Sequence, residues 1–560
     1  MSDRGIQDER PAEELDLELD ASRGGVATQD ACTLPEDVAE DWTASSQLEP
    51  DAEPDPRAAR RTSSYTIYVA LPDNDDEMLL VHGYTGAYDK VSRRVAEYLL
   101  SQESGPPPEP LYGEWSSEPS LHSGGVAEAP SEPTLEVLEK RGYLTRLSVE
   151  EEQGRLARTA KVLHRRAVEN GPNYLFMPTY QCNLRCPYCF QDHMRTDPAY
   201  SHLLRTISRE TVDRILATFP TLERSHGIED GDEFARTVGF YGGEPFLAEN
   251  RPIIEYIMNG VRALGPVNFW AVSNATQLDA YADLIGPEGI ASIQITIDGP
   301  PEEHDKRRIH ADGSGSFAQI ARNVDLCLDR GAQVQIRMNI DRNNLHQLPR
   351  VAEEFVARGW DKRRGFMVYT ARIAPANDQT PLSSTFNTTW ELDQGIDELR
   401  ALHPAMKIIG RPDDGLEYRA RKLFEGRGHG LAQFKSSFCG AHSGMYIFDA
   451  FGDIYACWEK TGDARIRIGR VLDGGQVEMN QGLNKMWRSR TPASNPTCRK
   501  CRYAFQCGGG CAVLAEGQKG KFFTNYCDGF ADRFRHSVAK AYLDFVNGTE
   551  IVVQERVCDL

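Results

Sequence analysis

The sequence predicts an α/β protein built on a partial, open barrel of six strand–helix repeats, joined to a cysteine-rich C-terminal domain. Three observations predict it. From residue 173 onward, short apolar runs alternate with stretches of helical periodicity, the pattern of parallel strands with covering helices. Six such strands are too few for the closed eight-stranded barrel. Ten of the thirteen cysteines fall in two tight groups, at 182–189 and 439–527, and clustered cysteines in a large chain point to metal ligation rather than disulfides.

The strand candidates are residues 174–180, 237–241, 268–273, 292–297, 333–339 and 366–369. Helical stretches lie between them near 209–219, 250–263, 277–285, 316–329 and 346–358. In barrels of this kind the chemistry sits at the C-terminal ends of the strands, so the residues after each strand carry the interest. Ahead of the barrel, residues 63–170 read as a small α/β module. It has strands at 65–71 and 78–81, helices at 89–100, 133–141 and 149–168, and a Pro/Gly/Ser-rich insertion over 102–132. Residues 376–435 bridge to the cysteine domain at 436–530, and 530–546 reads as a closing amphipathic helix within a 531–560 tail.

Charge separates the ends of the chain from its body. The net charge is −20, and residues 1–56 hold 17 acidic and 3 basic side chains, so 14 of the surplus charges sit there. The tail, taken as 1–62, is expected to be disordered, because it has too little apolar surface to offset its ordering entropy. The nearly balanced remainder argues against a nucleic-acid-binding body. No apolar run approaches the ~20 residues of a membrane span, and no basic-then-apolar signal opens the chain, so a cytoplasmic protein is expected.

Directly after the first barrel strand come Cys182, Cys186 and Cys189, in a C-x3-C-x2-C loop. Three thiolates can hold a cubane cluster and leave one iron open to a further ligand. On spacing alone, a structural zinc site or half of a ferredoxin-like pair fits as well. Position at the end of the first strand favours the open cluster. After the second strand stand Gly242, Gly243, Glu244 and Pro245. After the third stand Ser273, Asn274, Ala275 and Thr276. After the fourth come Thr296, Ile297, Asp298, Gly299 and Pro300, then His304, Asp305 and Arg308.

These motifs resemble those of the radical S-adenosylmethionine (radical SAM) superfamily. The resemblance implies a [4Fe–4S] cluster on Cys182, Cys186 and Cys189 whose open iron takes the amino and carboxylate groups of S-adenosylmethionine. Reductive cleavage then gives a 5′-deoxyadenosyl radical that abstracts hydrogen. It implies Tyr188 near the adenine, the Gly242–Gly243–Glu244–Pro245 loop at the methionine amino group, and Thr296 and Asp298 in cofactor contact. At Ala275 the family more often has glycine. The gaps among Cys439, Cys457, Cys498, Cys501, Cys507, Cys511 and Cys527 resemble the seven-cysteine SPASM domain. That implies two auxiliary [4Fe–4S] clusters: an outer one on Cys498, Cys501, Cys507 and Cys527, and an inner one on Cys439, Cys457 and Cys511, with its fourth ligand open. His442, close by, reads as an ordinary surface histidine, Cys327 as a helix-face core residue, and Cys32 and Cys558 as bystanders.

The domain pair implies a peptide or protein substrate and an electron donor such as flavodoxin or ferredoxin. One subclass matures a ribosomally synthesised peptide by thioether or carbon–carbon crosslinking or by epimerisation. The other is the anaerobic sulfatase-maturing enzyme, which forms formylglycine. The N-terminal module is loosely similar to those of peptide maturases, where such modules can recognise a leader peptide by strand addition. A structural cap on the barrel is an equal reading of it.

Overall fold

The computed structural model describes residues 17–18, 55, 57–72, 74–103, 127–229, 231–374, 382–426 and 434–549. Cys32, Cys558 and most of the 102–132 insertion lie outside them, as do most of the acidic tail and parts of the bridging region. The chain forms two compact units that do not follow chain order. Of the described residues, one unit comprises those within 165–414 and 439–490; the other comprises those up to 164 and those within 415–438 and 491–549.

The first unit is the barrel unit. Its strands are β7 (Asn173–Phe176), β8 (Arg236–Phe240), β9 (Val267–Ser273), β10 (Ile290–Thr296), β11 (Gln333–Ile340) and β12 (Phe366–Arg372). They pair in parallel and in chain order from β7 to β12, as the six apolar runs predict. Helices Arg209–Arg224, Arg251–Arg262, Phe317–Asp329 and Leu348–Ala357 pack their apolar faces in the core, with Ile215, Phe219, Ile254, Ile257, Val324 and Phe355 fully buried. The expected helix at 277–285 is only a 3₁₀ turn, Leu278–Tyr281, after which the chain turns so that Ile285 bridges Ile290. A seventh strand, β13 (Met445–Phe448), pairs in parallel with β7. The antiparallel strands β14 (Asp453–Tyr455), β15 (Gly469–Val471) and β16 (Val477–Met479) extend the sheet. The β13–β14 turn hangs on Asp449, whose carboxylate accepts from the backbone of Phe451 and Asp453 and from the Tyr180 hydroxyl.

The second unit is built around an antiparallel sheet of β3 (Thr66–Leu71), β4 (Asn74–His82) and β5 (Tyr88–Ser92). Residues 89–92 were expected to start a helix. They form a strand instead, and the helix starts at Arg93, where the Ser92 hydroxyl caps the Val95 amide at 3.4 Å. Asp89 is drawn away from any helix by Arg141 at 2.8 Å and the Tyr143 hydroxyl at 2.7 Å. Side chains alternate between the sheet faces. Tyr68, Met78, Leu80 and Val91 pack on helices Arg93–Ser101 and Glu132–Arg141. Ile67, Val69, Leu79 and Val81 pack on Leu416 and Leu423 of helix Asp414–Phe424 and on Phe534 and Val538 of helix Phe530–Val546. With both faces covered, the sheet is a middle layer, which is why β3 reads as a continuous apolar run and not as an alternation. Two short pairings complete this unit. Arg61–Thr62 (β2) pairs with Leu144–Thr145 (β6), and Leu17–Glu18 (β1) adds to the free edge of β5. The tail expected to be without structure therefore contributes strand residues at 17–18 and 61–62.

Candidate active site

In the barrel unit the first cysteine loop is tied to three other strand ends. Asn183 donates to the Thr276 hydroxyl at 2.8 Å, and the Asn274 amide donates to the Asn183 side chain at 2.8 Å. The Arg185 amide donates to the Ile309 carbonyl at 2.8 Å, and the Arg185 guanidinium donates to the carbonyls of Cys182 and Leu184 within the loop. The two glycines after β8 fix its approach. A Cβ on Gly243 would stand 2.1 Å from the Gln181 carbonyl oxygen, and one on Gly242 would stand 2.6 Å from that of Thr179. Their place is filled by backbone hydrogen bonds, Gly243 to Thr179 at 3.1 Å and Glu244 to Gln181 at 2.7 Å. These glycines dock the segment that enters the cysteine loop.

Glu244 is buried, and its carboxylate clasps the β9 end. It accepts from the Ser273 hydroxyl at 2.8 Å and from the amides of Asn274 and Phe246 at 2.6 and 3.0 Å. Burial pushes this carboxyl above its ordinary range, and the three donors oppose that shift. Pro245 is buried beside it and accepts from Asn250 at 3.2 Å. Ala275 takes the left-handed φ of 62°, which explains why glycine suits this turn better. The Ser273 hydroxyl accepts its amide, and Asn323 donates to its carbonyl.

At the β10 end, Thr296 and Asp298 are both buried. Asp298 receives the hydroxyl of Tyr188 on one oxygen and the Asn339 amide at 2.8 Å on the other. Arg308 donates to the same Tyr188 hydroxyl at 2.8 Å, and the Arg307 guanidinium lies over the Tyr188 ring. Burial holds the Tyr188 hydroxyl well above its ordinary value, so it stays protonated and donates. His304, fully buried against Ser316 at 3.1 Å, is held neutral by desolvation and by Arg308 and Arg307. Tyr188, Asp298 and Arg308 therefore join the cysteine loop to β10 and β11.

The thiols themselves are buried or half-buried. Burial pushes the Cys186 thiol up to about 12, with Arg308 opposing, and raises Cys182, with Arg195 opposing. Arg195 stands 3.1 Å from the Cys189 sulfur, and Asn274 stands 3.7 Å from that of Cys182. At Cys182 and Cys186 bare thiolates are disfavoured; iron would deprotonate coordinating thiols outright. The donor set fits a cluster: three thiols within electrostatic reach of one another, with a cation and an amide aimed at sulfur. Among the described residues, no three His, Cys, Asp or Glu side chains close to the spacing of a single metal ion. Arg195 and Asn274 were not predicted as sulfur partners. Arg195 has no spacing signal, whereas Asn274 lies in a run already singled out.

Cys439 and Cys457 also belong to the barrel unit, beside β13 and after β14. The Trp458 ring meets that of Tyr241, with centroids 5.6 Å apart. His442 is not a surface residue. It is buried, stacked on Trp487, with Nδ1 2.9 Å from the Trp487 carbonyl. Cys327 is buried in helix Phe317–Asp329, as expected.

Cys498, Cys501, Cys507, Cys511 and Cys527 belong to the second unit. Burial and then the neighbouring Cys498, Cys507 and Cys527 raise the Cys501 thiol well above its ordinary value. The Asn525 amide donates to the Cys527 sulfur at 3.0 Å. Asn495 caps the short helix that carries Cys498, accepting from the amides of Thr497 and Cys498. A Cβ on Gly510 would lie 1.9 Å from the Tyr526 carbonyl oxygen, so this glycine lets the 507–511 turn lie on the backbone next to Cys527.

The family model for the radical SAM superfamily matches residues 176–355, which span β7 to the helix after β11. A cysteine-type anaerobic sulfatase-maturating enzyme of Clostridium novyi is 21% identical over 387 residues, 64% of this chain and 93% of that protein. An AdoMet-dependent heme synthase of Nitratidesulfovibrio vulgaris is 26% identical over 208 residues, 36% of this chain and 49% of that protein. The crystal structure of Streptococcus suis SuiB bound to the precursor peptide SuiA is 15% identical, covering 83% of this chain and 98% of that one with a TM-score of 0.43. Residues 176–355, with the barrel strands and the three-cysteine loop, form a radical SAM domain, the domain of enzymes that use a [4Fe–4S] cluster and S-adenosylmethionine.

Proposed function

We propose that this chain modifies a polypeptide, most specifically a ribosomally synthesised peptide in which it installs a thioether or carbon–carbon crosslink or an epimerised centre. The observation that carries the proposal is the tethering of the Cys182, Cys186 and Cys189 loop to the ends of β8, β9 and β10. When bound, the cluster and S-adenosylmethionine supply the 5′-deoxyadenosyl radical, and this cofactor chemistry is the family's and not the protein's.

The chain's own residues position and shield. Cys182, Cys186 and Cys189 hold the cluster. Gly242 and Gly243 let its loop approach β8, Glu244 fixes the β9 end, and Tyr188 and Asp298 close the β10 side, with Thr296 toward the ribose. Arg195 balances thiolate charge beside Cys189. Cys498, Cys501, Cys507 and Cys527 hold an auxiliary cluster, with Asn525 donating to sulfur, and Cys439 and Cys457 of the barrel unit serve a second. A one-electron donor of the flavodoxin or ferredoxin type supplies the reductant. Among the described residues no helix is long and apolar enough to cross a membrane, which supports a cytoplasmic enzyme.

A polypeptide substrate is supported by relatives named for maturing a sulfatase, matched over 93% of their length. The sheet of β3, β4 and β5 lies ahead of the barrel, where peptide maturases carry a comparable module, which supports peptide maturation over formylglycine formation. The test is anaerobic incubation of the reconstituted enzyme with short peptides encoded beside its gene and, separately, with a cysteine-containing sulfatase peptide. Loss of a hydrogen pair, or deuterium uptake from heavy water without other change, on the first set supports the proposal. A hydrazide-trapped aldehyde on the sulfatase peptide alone would replace it with the sulfatase-maturing reading.

A further inference from the structure

The barrel unit holds an arginine that takes no part in tethering the first cysteine loop. Arg337 lies on β11, whose side chains alternate between two faces. Val334, Ile336 and Met338 are fully buried on one face. Gln335, Arg337 and Asn339 take the other, and the Asn339 side chain donates to the Tyr188 hydroxyl at 3.4 Å, so this is the face that meets the first cysteine loop. In register, Thr296 of β10 and Tyr369 of β12 flank Arg337. Tyr369 is committed to Gln294 at 2.5 Å. The Arg337 Nε donates to the Asn339 side chain at 3.0 Å, which sets the plane of the guanidinium. Among the described residues, neither of its Nη groups has a hydrogen-bond or ion-pair partner.

Two further groups share these surroundings. Tyr241, at the end of β8, lays its ring near Trp458, and among the described residues its hydroxyl has no partner either. Burial raises its pKa well above the ordinary value, so it remains a donor, within electrostatic reach of Glu459, Arg337, Cys189 and Cys457. Glu459 is a carboxylate within reach of Arg337, but no ion pair joins them, and Glu459 is engaged by Trp458. The site therefore has a surplus of donors: a guanidinium fork and a phenol against one engaged carboxylate. A carboxamide ligand would bring two donors of its own, whereas a carboxylate brings none. The planar fork also matches a carboxylate with two parallel bonds.

The geometry points to a carboxylate subsite on this face of the sheet, in which the Arg337 Nη groups and the Tyr241 hydroxyl receive an acidic side chain of the polypeptide and so hold a neighbouring residue toward the first cysteine loop. The inference rests on the reading that the chain modifies a polypeptide, and adds that the polypeptide is acidic beside the residue modified.

Arginine labelling with phenylglyoxal, read at Arg337 by peptide mass spectrometry on the reconstituted full-length enzyme, tests the subsite without turnover. Labelling is compared with and without S-adenosylmethionine, whose own carboxylate is the other source of this chemistry. The probes are the N-acetyl methylamides of glutamate and glutamine, added to the enzyme holding S-adenosylmethionine. Arg337 is expected to label in both states. The glutamate probe is expected to protect it at a concentration at least about tenfold lower than the glutamine probe, with exposed Arg322 unprotected as the internal control. Tyr241→Phe keeps the ring beside Trp458 and removes one charge-assisted hydrogen bond, so half-protection by the glutamate probe is expected to need about tenfold more of it. An Arg337 that does not label, protection by S-adenosylmethionine alone, equal protection by the two probes, or unchanged half-protection in Tyr241→Phe would each overturn the subsite. Failure of the polypeptide reading shows separately, as the absence of any modified peptide, and leaves the labelling result standing.

Discussion

At the first cysteine loop, the side chains that reach sulfur are an arginine and an asparagine. Hydrogen bonds and positive charge at cluster sulfurs help set the reduction potential. Arg195, 3.1 Å from Cys189, therefore stabilises the more negative, reduced cluster. Arg195→Gln is expected to lower the potential of this cluster by about 60 mV, a tenfold change in a one-electron equilibrium, while Arg195→Lys restores most of it. A potentiometric titration followed by electron paramagnetic resonance measures this, and an unchanged potential in the glutamine variant would show that Arg195 acts only on the loop. The ligands were legible because thiolate chemistry imposes spacing along the chain. Arg195 was not, since it meets sulfur through a turn of its own loop. Tyr188 illustrates the same limit: its place in the motif was evident, but its hydroxyl is committed to Asp298 and Arg308, partners more than a hundred residues away.

Elements carry the next set of consequences. The turn after β8 and the segment entering the cysteine loop touch backbone to backbone, so Gly243→Ala must push a Cβ against two carbonyl oxygens at 2.1 and 2.4 Å. A cost of about 1–3 kcal/mol is expected, as for an overpacked core, together with loss of iron from the first cluster. Thermal melting and iron analysis of the reconstituted variant check this; wild-type values for both would refute the docking role.

In the other unit, His82 ends β4 fully buried, between the Ser63 hydroxyl at 2.9 Å and the Thr85 amide at 3.1 Å. Burial, reinforced by Arg141, lowers its pKa from the ordinary 6.5 to about 3. The neutral form is thus required in the fold, and the unfolded chain binds the proton first. Stability is retained above pH 6.5 and is lost as pH falls from there toward 3. Between pH 7 and 5 this residue alone is expected to remove about 2 kcal/mol, a slope that His82→Gln should abolish in urea melts.

Periodicity located these elements well where one face is buried and the other is wet. It failed at 89–92, where a strand hands over to a helix at Ser92, and at 277–285, where a 3₁₀ turn suffices.

On the scale of the whole molecule, the six parallel strands were legible because a buried parallel sheet demands repeated apolar runs. The membership of the two units was not. The described residues up to 164 group with residues 491–549, and the contacts of Ile67 and Val69 with Phe534 and Val538 join positions more than four hundred residues apart, with no trace in local composition. The central claim is that the loop of Cys182, Cys186 and Cys189 holds the cluster that cleaves S-adenosylmethionine. Its most direct test is an anaerobic comparison of reconstituted wild type and Cys186→Ala, counting iron and measuring 5′-deoxyadenosine formed with a strong reductant. Nucleoside from the wild type alone, with about four fewer irons in the variant, is the predicted result; nucleoside at the wild-type rate from Cys186→Ala would contradict it.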